Sequence, residues 1–367
     1  MDLTASNPTT CEFAYPEREI LGALADPRAL VYRPESKGLL DARQAVAGYY
    51  AGLAGFSGPL ETVDPERILL ASGTSEAYSH LFRLLCEPGD EILAPEPSYP
   101  LFEFLADLAD VRLVTYPLLY DHGWQIDFSS LRAALTPRSR AVLVVHPNNP
   151  TGSLVKPHEA AELAEICAAR DMAIVADEVF LDYAASDAPS FVSSSDALTF
   201  TLSGISKISL LPQMKLAWTV VSGPDEIVKA AVDRLEIIAD TYLSPSTPVQ
   251  LALPELLQQR HSLQSQVRNR IRANLSALDE MLSGTKTVTR LERESGWYAI
   301  LKVPVTATDD DLVVALLERC SVLVHPGHFF NFAREGFLVL SLITPEAEFR
   351  EGVRRLHDFF DRHPTEG

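Results

Sequence analysis

Positive charge is what this sequence is short of. Its 367 residues carry 31 Lys and Arg against 50 Asp and Glu, a formal net charge of −19. A protein that grips a phosphate backbone needs a basic surface to displace counterions, so no nucleic-acid partner is expected. Cysteine is scarce too. Cys11, Cys86, Cys167 and Cys320 are scattered, with no C-x-x-C pair and no metal-like spacing. No metal site is therefore expected, and reduced thiols in a cytoplasmic setting are. Long apolar runs are also missing: the longest, such as Ala141–Val145, have the length of a strand. The opening MDLTASNPTTCEF has no basic segment leading into an apolar stretch. Neither a membrane span nor a signal peptide is expected.

What is present is an ordinary globular composition, 47% hydrophobic and 22% charged, with a length that suggests two domains. Between about residues 67 and 222, apolar runs (RILLA, EILAP, VRLVTY, RAVLVV, MAIVA, ALTFTLSG, KLAWTVVSG) alternate with amphipathic stretches. Such βα alternation predicts an α/β fold with a mostly parallel sheet covered by helices on both faces. After Pro245 the pattern becomes long and helical, with Pro254 expected to break or kink it, and then turns to a mixture of strands and helices. The predicted organisation is an amino-terminal arm (1–34) on the small domain, a large domain (35–245), connecting helices (246–284) and a small α+β domain (285–367).

Ligands of such sheets bind at the carboxyl ends of strands, so the residues just past each apolar run are the candidates for chemistry. Lys207 lies beyond the β-branched run ending at Leu202, within a Gly/Ser turn that includes Ser206, and Lys215 comes eight residues later. Ser72, Gly73 and Thr74 lie beyond RILLA at the start of a helix, where small residues expose N–H groups to an anion; the same residues also serve as ordinary helix caps. Asn149 closes AVLVVHPNN. Asp177 and Glu178 close MAIVADE and must point to opposite faces of a strand, so at most one enters the cleft. Tyr99 and Tyr32 are aromatics that either stack on a flat ligand or pack internally.

Read in order, SGTSEA, EPSYPLF, HPNNPTG, ADEVF, SGISK and LPQMK resemble the signature of the fold-type-I, pyridoxal-phosphate-dependent aminotransferases of class I/II. The resemblance implies a seven-stranded type of sheet and pyridoxal 5′-phosphate as cofactor. Lys207 would hold the cofactor aldehyde as a Schiff base and shuttle the proton. Asp177 would pair with the ring nitrogen, Asn149 with the ring hydroxyl, and Tyr99 would stack on the ring. Ser72, Gly73, Thr74, Ser206 and Lys215 would hold the phosphate. Tyr32 would reach the phosphate of a neighbouring subunit, which implies a homodimer with shared active sites, acting on a small amino donor and an oxo acceptor. Asn7, Arg334 and His328 are the candidates for touching substrate, and His325 belongs to the same segment as His328.

Three departures stand out. Phe180 replaces a tyrosine common in the family, with Tyr183 as a conceivable substitute. Lys215 replaces the phosphate-binding arginine, and Gly204 a hydroxyl residue. Val339 stands where an arginine usually clamps the substrate carboxylate. These departures leave a lyase or decarboxylase on the same fold as the alternative, and a ligand-sensing domain as a remoter one.

Overall fold

The structure is a computed structural model that describes residues 1–53, 63–184, 188–285 and 287–362. Eight strands form the larger sheet: β1 (Ile68–Ala71), β2 (Glu91–Glu96), β3 (Arg112–Tyr120), β4 (Trp124–Ile126), β5 (Ser139–Val145), β6 (Ala173–Asp177), β7 (Thr199–Gly204) and β8 (Ala217–Ser222). Their order is β1-β8-β7-β6-β5-β2-β3-β4. The run β7-β6-β5-β2-β3 is parallel. Its central strands read as unbroken apolar runs because helices cover both faces. On one face Leu81, Phe82 and Leu235 from the helices Thr74–Leu85 and Asp225–Tyr242 meet Leu69, Phe200 and Val221. On the other, Leu163 and Cys167 of the helix Pro157–Ala168 meet Val142 and Ile174. The strand not foreseen is β4, a short hairpin partner of β3.

Direction is what assembles the site. β8 runs antiparallel to both β7 and β1, so β1 ends on the same edge as β5, β6 and β7. β8 begins at that edge, which brings the residues just before Ala217 there as well.

A second, four-stranded antiparallel sheet comprises β9 (Thr289–Arg290), β10 (Tyr298–Lys302), β11 (His325–Pro326) and β12 (Phe337–Ser341), in the order β11-β12-β10-β9. The first residues bond to it, Leu3 N–H to the Leu323 carbonyl and Ser341 N–H to the Leu3 carbonyl, with Leu3 wholly buried in the same core. Further along, the amino-terminal stretch forms a short helix, Glu17–Ala23, that buries Ile20.

Pro254 does not break its helix. Thr247–Leu282 runs continuously through it. The lost hydrogen bond and ring clash cost about 3 kcal/mol. Val249, Leu253, Leu256 and Leu257 are buried around the proline, and each contributes about 1.5–3 kcal/mol. Burial outweighs the propensity. All four cysteines are thiols. Among the described residues no helix is long and apolar enough to cross a membrane, and no cluster of three metal-ligating side chains occurs.

Candidate active site

A single helical turn, Ile205–Ile208, comes directly after β7 and is pinned by the buried Ile205 and Ile208. Lys207 projects from it into the edge where the parallel strands end. Its Nζ lies 4.8 Å from the centre of the Trp297 ring and 5.5 Å from that of Phe180. Burial disfavours the ammonium and lowers its pKa to about 8, with the Asp177 carboxylate pulling the other way.

Asp177, at the end of β6, accepts hydrogen bonds from the Tyr78 hydroxyl (2.9 Å) and the Val179 amide (3.2 Å). Burial raises its pKa against those bonds and Lys207. Glu178 faces the opposite side. It accepts from Ser190 Oγ and the Phe191 amide, each at 2.6 Å, and burial pushes it up to about 8.

Lys207 and Asp177 line a cavity of about 280 Å³ together with Ser6, Thr74, Tyr99, Phe102, Asn149, Val179, Phe180, Ser206, Tyr298, His325, Phe329 and Phe330. Asn149 Oδ1 is buried without a hydrogen-bond partner among the described residues. Tyr99 is held edge-on by Phe102 at 6.0 Å. At one end the helix Thr74–Leu85 begins after Gly73, and Lys215 Nζ stands 4.0 Å from where a Cβ on Gly73 would lie. Lys215 adopts the left-handed conformation (φ 56°), which turns the chain into β8. Gly204 has a packing reason: a Cβ there would lie 2.9 Å from Ala217 Cα and the Leu216 carbonyl oxygen, so the hydroxyl residue common in the family has no room.

Several residues singled out in the sequence lie elsewhere. Ser72, Gly73 and Lys215 are outside the cavity lining, and the Ser72 amide is given to Glu76. Asn7 turns its side chain back to cap Thr9, and Ser6 lines the cavity instead. Arg334 is exposed in the turn before β12 and is not part of the lining. His328 faces Asp310 at 3.5 Å, because the 3₁₀ turn Gly327–Phe330 rotates it away; strand residue His325 faces the cavity. Tyr32 is 82% exposed on this chain. Tyr183 cannot stand in for the missing tyrosine, since its hydroxyl is spent on the Lys207 carbonyl. Val339 is wholly buried. Tyr78 and Trp297 were missed: Tyr78 looks like one more member of an apolar helix face, and Trp297 comes from the bend just before β10 of the other sheet.

The loop carrying Asn149 is locked to the loop before Trp297. Gly152 has φ +67°, and a Cβ there would lie 2.2 Å from the Ser295 carbonyl oxygen. Gly152→Ala is expected to destabilise the protein by about 3 kcal/mol. A urea unfolding midpoint within error of the unsubstituted protein would count against this contact.

The profile of the family described as "Aminotransferase class I and II" matches residues 3–356. The chain belongs to that family. It is 28% identical to an alanine aminotransferase of Mycobacterium bovis, covering 98% of this chain and 85% of the relative. It is 27% identical to a glutamate-pyruvate aminotransferase of Escherichia coli, covering 90% and 83%. A solved aminotransferase from Escherichia coli superposes with a TM-score of 0.86 at 25% identity, over 98% of this chain and 90% of that one. A tyrosine aminotransferase from Leishmania infantum shares the fold, with a TM-score of 0.90 at 20% identity, covering 99% and 92%. The protein is thus an aminotransferase, and pyridoxal phosphate is its cofactor. The cavity suits that group: a lysine amine of low pKa, a buried carboxylate, an unpartnered buried amide oxygen, and a cation beside a helix start offer one partner for each of its polar functions.

Proposed function

We propose that the chain moves an amino group from an amino acid or amine to an oxo acid in two half-reactions, with Lys207 as linking amine and proton carrier. The observation that carries this is the Lys207–Asp177 pair in one buried cavity, each shifting the other's protonation. Bound pyridoxal phosphate supplies an aldehyde and a protonated ring that draws electrons from the substrate's α-carbon. Asp177 would hold the proton on the ring nitrogen, steadied by Tyr78. Asn149 would meet the ring hydroxyl alone, because Phe180 offers no second hydroxyl. Tyr99 would cover the ring. Gly73, Thr74, Ser206 and Lys215 would receive the phosphate, with Ser72 at their margin. Once displaced, the neutral Nζ of Lys207 would take the substrate's α-proton and deliver it to the carbon that carried the cofactor's aldehyde.

We extend the proposal to organisation. Leu30, Val31 and Tyr32 form a run of exposed apolar side chains, which supports a second copy covering this stretch and Tyr32 reaching its site. The two sheets support the division into large (35–245) and small (285–367) domains, joined by 246–284. Four thiols support a reducing, cytoplasmic compartment, and the acidic surface supports small-molecule partners only.

Incubating the holoenzyme with amino donors is expected to yield pyridoxamine phosphate and one equivalent of oxo acid. Release of ammonia instead would favour the lyase alternative and overturn transamination.

A further inference from the structure

Lys207 stands on a helix too short to hold itself. The single turn Ile205–Ile208 is far below the length at which a helix persists on its own backbone bonds. The Ile205 carbonyl is taken by the amides of Ser209 and Leu211, each at 3.1 Å. The carbonyls at the end of such a turn need partners from outside it. Two side chains from other elements supply them. The Tyr183 hydroxyl donates to the Lys207 carbonyl at 2.8 Å, and Gln264 Nε2 donates to the Ile208 carbonyl at 2.9 Å.

Both donors are themselves fixed. The Tyr183 ring is buried and packs edge-on against Trp297 at 5.3 Å, the same ring beside which Lys207 Nζ lies. Gln264 is buried in the helix Thr247–Leu282 and also donates to Asp182 Oδ1 at 2.8 Å. The other oxygen of Asp182 accepts from the Tyr49 hydroxyl at 2.5 Å, and Arg268 donates to Gln264 Oε1 at 3.3 Å. Both the nitrogen and the oxygen of the Gln264 amide are therefore committed. A buried network satisfied in this way specifies one arrangement.

We propose that Tyr183 and Gln264 are positioning residues for proton transfer. By holding the Lys207 and Ile208 carbonyls they fix the direction in which the lysine side chain leaves the backbone, and with it the reach of Nζ toward the substrate's α-carbon. This rests on the transamination proposed above. A reacting group misplaced by about 1 Å loses about 10²-fold in rate.

The test compares Tyr183→Phe and Gln264→Leu with a control, Tyr116→Phe. The control loses a matching buried bond, from the Tyr116 hydroxyl to the Leu143 carbonyl at 2.8 Å, at a residue outside the cavity lining. In the apoprotein, amide exchange of the 205–211 segment should quicken about tenfold in Tyr183→Phe, the worth of one hydrogen bond, with other segments unchanged. In the holoenzyme, kcat is measured per bound cofactor with the fastest donor among the protein amino acids, with and without deuterium on its α-carbon. It should fall about tenfold in Tyr183→Phe and about 10²-fold in Gln264→Leu, with KM within twofold and an isotope effect at least as large as in the unsubstituted enzyme. Tyr116→Phe should keep normal turnover. If Gln264→Leu does not fold, Tyr183→Phe decides alone. A kcat within twofold of normal in Tyr183→Phe, a smaller isotope effect, or an equal loss in Tyr116→Phe overturns the inference and leaves transamination standing. Failure of the unsubstituted holoenzyme to form pyridoxamine phosphate with any donor overturns both.

Discussion

Lys207→Ala is expected to lower turnover by about 10⁴-fold, the upper end of what one general acid–base group contributes, because under the proposal the same amine would also form the covalent link to the cofactor. Among the described residues, no other amine lines the cavity. Reductive trapping with borohydride followed by peptide mapping should label Lys207 in the unsubstituted protein and leave the alanine variant unlabelled. Turnover within tenfold of normal would show that the proton is carried elsewhere. The amine also has a pH signature. Burial lowers its pKa from 10.5 to about 8, so the neutral, nucleophilic form accumulates as pH rises through about 8. The apoprotein's rate of capturing an aldehyde should therefore climb through that range and level off, whereas an exposed lysine would keep gaining up to about 10.4.

The second large effect concerns Asp177. Asp177→Asn removes the charge that would face the cofactor's ring nitrogen without changing the side chain's shape, and losing one partner of a buried hydrogen-bonded charge pair costs about 2–5 kcal/mol in binding, or roughly 30-fold or more in cofactor affinity and in the turnover that depends on it. The same change should act on Lys207 in the opposite sense. The carboxylate raises the lysine's pKa, so its loss lowers it further, and aldehyde capture by the apoprotein should reach its midpoint below about 8. Slower turnover with a downshifted capture profile identifies local electrostatics; slower turnover with an unshifted profile would refute the coupling. Stability gives a third reading. Burial raises the folded-state pKa of Asp177, so in the apoprotein the ionised carboxyl loses stability as pH rises above its unfolded value. The asparagine variant is spared that loss, and its apo Tm at neutral pH should not fall below that of the unsubstituted protein.

Much of this site was legible because strand periodicity and strand ends are local. Asp177 and Glu178 show this well: alternation along a strand alone predicts that one faces the cleft and the other turns away, and the two carboxylates do so. Lys207, Asn149 and Thr74 obey the same logic, each lying just past an apolar run. The errors also have one cause. Asn7, Arg334 and His328 are suggested by position along the chain, but loop side chains turn according to caps, turns and ion pairs that a linear pattern does not encode. A shift of three residues, from His328 to His325, is enough to exchange a solvent-facing ring for one that lines the cavity.

Pro254 shows the complementary limit. Backbone propensity says stop, and the apolar residues around it say continue; only the surface they bury settles the contest in favour of continuing.

By itself, then, the sequence determined the layered α/β architecture, the order of strand-end residues and which lysine enters the cavity, because these depend on side-chain period and on residues adjacent in the chain. The tertiary structure decided how Lys207 is tuned and what else lines its cavity. Trp297 reaches the amine from the bend before β10, Tyr78 reaches Asp177 from a helix, and His325 stands beside Val339 through strand register. Such contacts join residues far apart in sequence, and it is the folding of the two sheets around one cavity that creates them.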